Sequence, residues 1–157
     1  MRINERNYRT IWYDENEDGV FIIDQTKLPF EVNIVRLNTL DDVLKSINNM
    51  QVRGAPLLGA TAAFGLYLAY KKDMKIESLN LAAKKIKNTR PTAINLFWAI
   101  DRVIKRVDFK QPKKNLKKSL LNEAIEICEE DIKSCKKIGK YGYEIIKNKN
   151  RNKKINI

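Results

Sequence analysis

The sequence predicts an α+β domain, with a small antiparallel sheet at the N-terminus and a helical cluster after it. Three observations carry this. Between residues 8 and 37 the apolar residues come in short β-rich runs separated by polar turns. From Thr39 onward their spacing changes to three and four. Within the helical part, Gly54 to Tyr70 is a run of 17 residues without a charge, which marks a helix buried on every side.

The elements follow in order. Tyr8-Arg9-Thr10-Ile11-Trp12-Tyr13 predicts a first strand, Asp14 to Gly19 an acidic turn, and Val20-Phe21-Ile22-Ile23-Asp24 a second strand. A third is expected over Phe30 to Leu37, with Phe30, Val32 and Ile34 alternating against Glu31 and Asn33. Thr39 is a suitable N-cap, with Asp41 and Asp42 in the first turn and Leu40, Val43, Leu44 and Ile47 on one face. Further helices are expected over Pro56–Lys72, Glu77–Asn88, Pro91–Val107 and Leu116–Lys147. The central one should be the most buried, and Gly59, Ala60, Ala63 and Gly65 should admit close neighbours. The last carries an apolar stripe of Leu121, Ile125, Cys128, Ile132, Cys135, Ile138 and Ile145. Three segments result: strands over 1–38, helices over 39–147 forming one domain with them, and a tail over 148–157. The tail reads as a loop and the opening of another strand.

A chain of 157 residues, 43% hydrophobic and 32% charged, has the composition of a globular domain with a real core. The polar start Met1-Arg2-Ile3-Asn4-Glu5-Arg6 is no signal peptide, and the uncharged run is shorter than the roughly 20 residues a spanning helix needs. Cytoplasmic residence is expected, with no membrane partner. No His is present, so neither a His-ligated zinc nor a His acid/base is available. Cys128 and Cys135, seven residues apart on one helix, would sit about 10 Å apart, too far for a disulfide.

The net charge of +12 invites a nucleic-acid reading. Lys, Asn and Ile are over-used throughout, as an AT-rich genome produces, and no aromatic residues interleave with the basic ones. A nucleic-acid partner is therefore not expected; binding that weakens steeply with salt would indicate one.

Two sites stand out. Arg53-Gly54-Ala55-Pro56 and Thr89-Arg90-Pro91-Thr92 each place an arginine before a proline suited to the first position of a helix. A helix N-terminus offers unpaired N–H groups and partial positive charge, and an arginine adds a fork for phosphate or carboxylate. Gly54 removes a Cβ that would hold a ligand off the backbone. Each motif alone reads more simply as a well-formed helix start beside a surface arginine; it is the two together, inside forty residues, that bring a phosphate site level with that reading.

The run Asn49-Met50-Gln51-Val52-Arg53-Gly54-Ala55-Pro56-Leu57-Leu58-Gly59-Ala60 resembles a signature of the methylthioribose-1-phosphate isomerases. That family is related to the regulatory alpha, beta and delta subunits of eukaryotic initiation factor two-B. Asn88-Thr89-Arg90-Pro91-Thr92-Ala93-Ile94-Asn95-Leu96 resembles its second signature, and Ile23-Asp24-Gln25-Thr26-Lys27-Leu28-Pro29 its strand and turn upstream.

The resemblance implies conversion of 5-methylthioribose 1-phosphate to 5-methylthioribulose 1-phosphate in methionine salvage, by homodimers without metal or organic cofactor. It assigns substrate binding to Arg53, Gly54, Ala55 and Arg90. The family's catalytic cysteine and aspartate belong to a C-terminal Rossmann-like domain and match nothing here. Cys128 and Cys135 are read as inert hydrophobes, and Asp41, Asp42 and Asp101 as helix-start or solvent-face residues. The expectation is a truncated member, from a decayed or split gene, with no catalytic residue in the chain. Uncovered apolar surface should make it self-associate or take its missing half from another chain. The alternative is a non-enzymatic interaction protein of the initiation-factor type.

Overall fold

The computed structural model describes residues 2–3 and 5–149. A two-residue ladder pairs β1 (Arg2–Ile3) with β2 (Arg6–Asn7), antiparallel. A three-stranded antiparallel sheet then runs in the order β3 (Ile11–Asp14), β4 (Gly19–Ile23), β5 (Ile34–Leu37). In its register Ile11, Ile22 and Val35 line up, as do Tyr13, Val20 and Leu37. Ile11, Val20, Ile22 and Leu37 are buried in the helical core, with Tyr13 and Val35 packed against it.

The third strand is shorter than its alternation predicts, and its apolar phase is reversed. Val35 and Leu37 face inward, while Phe30 is 97% exposed and Val32 and Ile34 are exposed as well. Residues 24–33 leave the sheet as a loop closed by Asp24 N–H on the Asn33 carbonyl at 2.8 Å. The strand re-enters one position out of step with the apolar run, which suffices to turn every side chain over.

Among the described residues there are five helices: α1 (Leu40–Asn48), α2 (Ala55–Asp73), α3 (Ile76–Thr89), α4 (Ile94–Arg106) and α5 (Lys113–Lys149). Thr39 caps α1 as its sequence suggests. Its hydroxyl accepts the Asp42 N–H at 3.2 Å, and the Asp42 carboxylate accepts the Thr39 N–H at 2.9 Å, a complete capping box. Helix α2 is the centre of the molecule, buried without interruption from Leu57 to Tyr70. Two glycines let its neighbours close in. A Cβ on Gly59 would lie 3.0 Å from the Asn95 carbonyl oxygen of α4, and one on Gly65 would press on Ile86 of α3 and Val43 of α1.

Helix α5 has two characters. Leu116, Leu120, Ala124 and Ile127 are buried, and Arg102 of α4 reaches across to Glu123 at 2.6 Å and to Glu130 at 2.9 Å. Leu121, Ile125 and Cys128 are only half-buried at the edge of this seam. Farther on, Cys135, Ile138, Tyr141, Tyr143 and Ile145 are exposed, so the expected stripe is covered over its first half only. The chain has no helix over the described residues long and apolar enough to cross a membrane. Of the tail predicted as loop and strand over 148–157, residues 148 and 149 still belong to α5, and residues 150–157 lie outside the described residues.

Candidate functional site

The loop joining α1 to α2 is set by how α1 ends. Met50 takes a left-handed φ of 60°, its N–H donates to the Ile47 carbonyl at 3.2 Å, and the Gln51 N–H donates to the Ser46 carbonyl at 3.0 Å. This double closure usually has glycine at the left-handed position. Met50 holds it with a side chain, so local strain is stored in the loop that carries Arg53.

Gly54 follows as the N-cap of α2, at φ 93° and ψ 137°. A Cβ there would meet nothing within 4 Å, so it is the backbone conformation that demands glycine. The open space above it also leaves the peptide accessible. Pro56 stands in the first turn, no side chain caps the helix, and no acidic residue lies in that turn. The positive end of α2 is thus uncompensated by any carboxylate of its own. Arg53 is exposed and donates from Nη2 to the Gln25 carbonyl at 2.6 Å.

The second arginine is placed differently from its prediction. Helix α4 begins at Ile94, not Pro91, and Arg90 is the C-cap of α3. The Ala93 N–H donates to the Arg90 carbonyl at 3.0 Å, so Arg90-Pro91-Thr92-Ala93 is a tight turn with proline at its second position. Proline's fixed φ suits that place as well as it suits a helix start. Half-buried Arg90 points back to the α1–α2 loop, its Nη1 3.4 Å from the Met50 sulfur. Both arginines therefore belong to one loop region, Arg90 through Met50 and Arg53 by sequence.

Sequence reasoning did not single out the residue that ties this region together. Asp24, 4% exposed, accepts the Thr26 N–H at 2.9 Å, the Thr26 hydroxyl at 2.6 Å and the Gln51 side-chain amide at 2.8 Å. Burial by itself would raise the Asp24 pKa. The bonds from Thr26 and Gln51 outweigh it and hold the carboxyl below its ordinary value. The neighbouring Gln25 N–H donates to the Gln51 carbonyl at 2.9 Å. A buried acid at the end of a strand, two residues before a threonine, was the available signal.

The other candidates fall where expected, with one exception. Asp42 serves the capping box, and Asp101 pairs with Lys87 at 2.8 Å on the surface. Cys128 is half-buried and its thiol is pushed up to about 12, chiefly by burial. Cys135 is free and exposed rather than part of a covered stripe. A cleft of about 760 Å³ passes the first turn of α2, lined there by Pro56, Leu57, Ala60, Asn95 and Trp98. Arg53, Gly54, Ala55 and Arg90 do not line it.

Residues 51–151 match the model of the initiation factor 2 subunit family. The chain belongs to that family. Among family relatives, the methylthioribose-1-phosphate isomerase of Methylorubrum extorquens is 43% identical over 146 residues, 93% of this chain and 40% of its own length. That of Carboxydothermus hydrogenoformans is 46% identical over 143 residues, 87% of this chain and 41% of its own. Among solved family structures, 5-methylthioribose 1-phosphate isomerase from Pyrococcus horikoshii OT3 superposes with a TM-score of 0.80 at 36% identity, over 87% of this chain and 40% of that one. The delta subunit of translation initiation factor eIF-2B from A. fulgidus gives 0.78 at 33%, over 88% and 42%. The chain thus spans about 40% of the length of these family members.

Proposed function

We propose that this chain is a sugar-phosphate-binding portion of a methylthioribose-1-phosphate isomerase, with 5-methylthioribose 1-phosphate as its ligand. The observation that carries the proposal is the convergence of three separate motifs. Asp24-Gln25, Met50-Gln51 and Arg53, and Arg90 are joined by hydrogen bonds around the uncapped start of α2. In this reading the phosphate sits against the free amides of Gly54 and Ala55, with the guanidinium groups of Arg53 and Arg90 supplying charge.

Isomerisation moves hydrogen between C1 and C2 of the sugar, and the phosphate on C1 blocks simple ring opening. That work needs a donor and an acceptor whose protonation changes during the reaction. Arginine stays protonated and cannot serve as either. The half-buried Cys128 thiol, raised to about 12, is no nucleophile at neutral pH. The chain is therefore proposed to bind without turning over. Residues up to the end of α5 would form the binding domain, with the chemistry supplied by a second domain. The exposed Ile138, Tyr141 and Ile145 of α5 would then be covered by that second half or by another copy.

Isothermal titration of the 157-residue chain with 5-methylthioribose 1-phosphate tests binding, and a coupled assay tests turnover. Weak binding that Arg53→Ala and Arg90→Ala each reduce about tenfold is expected, with no turnover. Absence of binding, or turnover indifferent to both substitutions, overturns the proposal. The likeness to the A. fulgidus delta subunit favours a second reading, a non-enzymatic interaction protein. It predicts no heat from the sugar phosphate.

A further inference from the structure

We infer that Asp24 is a positioning residue for Arg53: by holding Gln51 it fixes the Gln25 carbonyl on which the Arg53 guanidinium rests. The inference deepens the proposed function and rests on it.

Arg53 is exposed, and a free arginine samples many rotamers whose freedom is lost on gripping an anion. Here one of its donors is already engaged, Nη2 on the Gln25 carbonyl at 2.6 Å, leaving Nη1 and Nε for a ligand. Anchored in this way, the guanidinium is arranged before the ligand arrives. The anchor is only as firm as Gln25, and Gln25 is held from two sides. Its N–H donates to the Gln51 carbonyl at 2.9 Å, and its neighbour Asp24 takes the Gln51 side-chain amide at 2.8 Å. Gln51 in turn is pinned to the end of α1, through its N–H on the Ser46 carbonyl at 3.0 Å. Strand end, loop and arginine thus form one closed circuit: Asp24 to Gln51, Gln51 to Gln25, Gln25 to Arg53.

The composition of that circuit is informative. Every hydrogen bond Asp24 accepts comes from a neutral group, although it is a nearly buried carboxylate. Burying an ionised group is costly, and a turn alone is closed as well by a neutral Asn or Ser. Because both its oxygens can only accept, the carboxylate forces Gln51 to present its amide nitrogen. That keeps a single orientation of the Gln51 side chain.

Exchanging the polarity of the pair tests this. Gln51→Met keeps side-chain length but removes the hydrogen bond; Gln51→Glu sets two carboxylates against each other. Asp24→Asn combined with Gln51→Glu restores one bond with donor and acceptor swapped, at unchanged net charge. Titration with 5-methylthioribose 1-phosphate should show Gln51→Met binding about tenfold more weakly, Gln51→Glu more weakly still, and the double variant near the parent. Urea unfolding on the same samples separates affinity from folding: Gln51→Met leaves a nearly buried carboxylate one donor short, so its midpoint should fall while the chain stays folded in the titration buffer. If Gln51→Met binds like the parent, the inference fails while the proposed function stands. A double variant that folds but stays as weak as Gln51→Glu also overturns it, because the bond is then not the cause. A double variant that does not fold leaves Gln51→Met to decide. Absence of binding by the parent chain overturns the proposed function, and this inference with it.

Discussion

The chain carries an arginine–proline signature twice, before α2 and before α4, and folds it two ways. At α2 the arginine stands next to the N-cap, the cap is a glycine at φ 93°, and proline lies within the helix. At α4 the arginine closes the previous helix, and proline bends a tight turn three residues before Ile94. The difference lies in the residue after the arginine. Gly54 can enter a conformation closed to other residues and turn the chain directly into the helix. Pro91 cannot, because its ring fixes φ near −65°, so extra residues are spent on the turn. One start presents backbone amides, and the other presents a side chain that reaches back to the first.

The two starts are held beside each other by helix packing, and breaking that packing should produce the largest effect. Gly59 of α2 lies against the Asn95 carbonyl at the beginning of α4, where even a Cβ would sit at 3.0 Å, and Ala99 is next at 3.4 Å. A carbonyl oxygen in the backbone cannot swing aside as a side-chain tip can. Gly59→Val should cost about 3 kcal/mol, read as a lower urea midpoint. It should weaken sugar-phosphate binding as well, since it separates the loops carrying Arg53 and Arg90. An unchanged midpoint would show that the helices tolerate spreading.

A smaller effect distinguishes the starts themselves. Gly54→Ala meets no steric obstacle, so its cost is conformational, about 1–2 kcal/mol for a residue forced into that region. Pro91→Ala, exposed and in a turn, should change stability by less than about 0.5 kcal/mol. Equal costs for the two substitutions would mean that cap and turn do not differ in backbone demand. Met50 gives a third comparison. Met50→Gly relieves a left-handed side-chain residue but loosens the unfolded chain, so stability should move by no more than about 1 kcal/mol. Arg90 loses the sulfur it rests on, so affinity for the sugar phosphate should fall while stability holds.

Much of the architecture was legible because it rests on local chemistry. Thr39 with Asp42 is a helix start wherever it occurs, and the uncharged run before Tyr70 leaves α2 nowhere but the centre. The misreadings come where a tertiary neighbour decides. Phe30, Val32 and Ile34 alternate as a strand should, yet the loop closed between Asp24 and Asn33 shifts the phase by one. Ile138 and Ile145 continue the helical spacing of α5, but spacing does not say where the partner helices stop. At the site, Arg53 and Gly54 were visible as a motif. Asp24 lay within a motif too, but its role was not legible, since that depends on Gln51, 27 residues away.

The smallest effect should come from acid, and it should touch one start only. The Asp24 carboxyl is held below its ordinary pKa by its bonds from Thr26 and Gln51, against the opposing pull of burial. A depressed folded-state pKa means that ionised Asp24 stabilises the fold above the unfolded value of about 3.9. That contribution shrinks as pH falls below this value and is gone once the folded pKa is passed. Protonation removes acceptor capacity for Thr26 and Gln51, so the α2 start should loosen while the α4 start, which has no carboxylate in its first turn, does not. Urea midpoints measured from pH 6 down to pH 3 should therefore fall less steeply for Asp24→Asn than for the parent chain. Amide resonances of Gln51 and Val52 should shift across the same range, with those of Ala93 and Leu96 unmoved. Parallel pH dependence in parent and variant, or equal movement at both starts, would place the acid-sensitive group elsewhere. Asp18 is the next candidate, its carboxyl drawn to about 2 by hydrogen bonds from Lys71 and Tyr13.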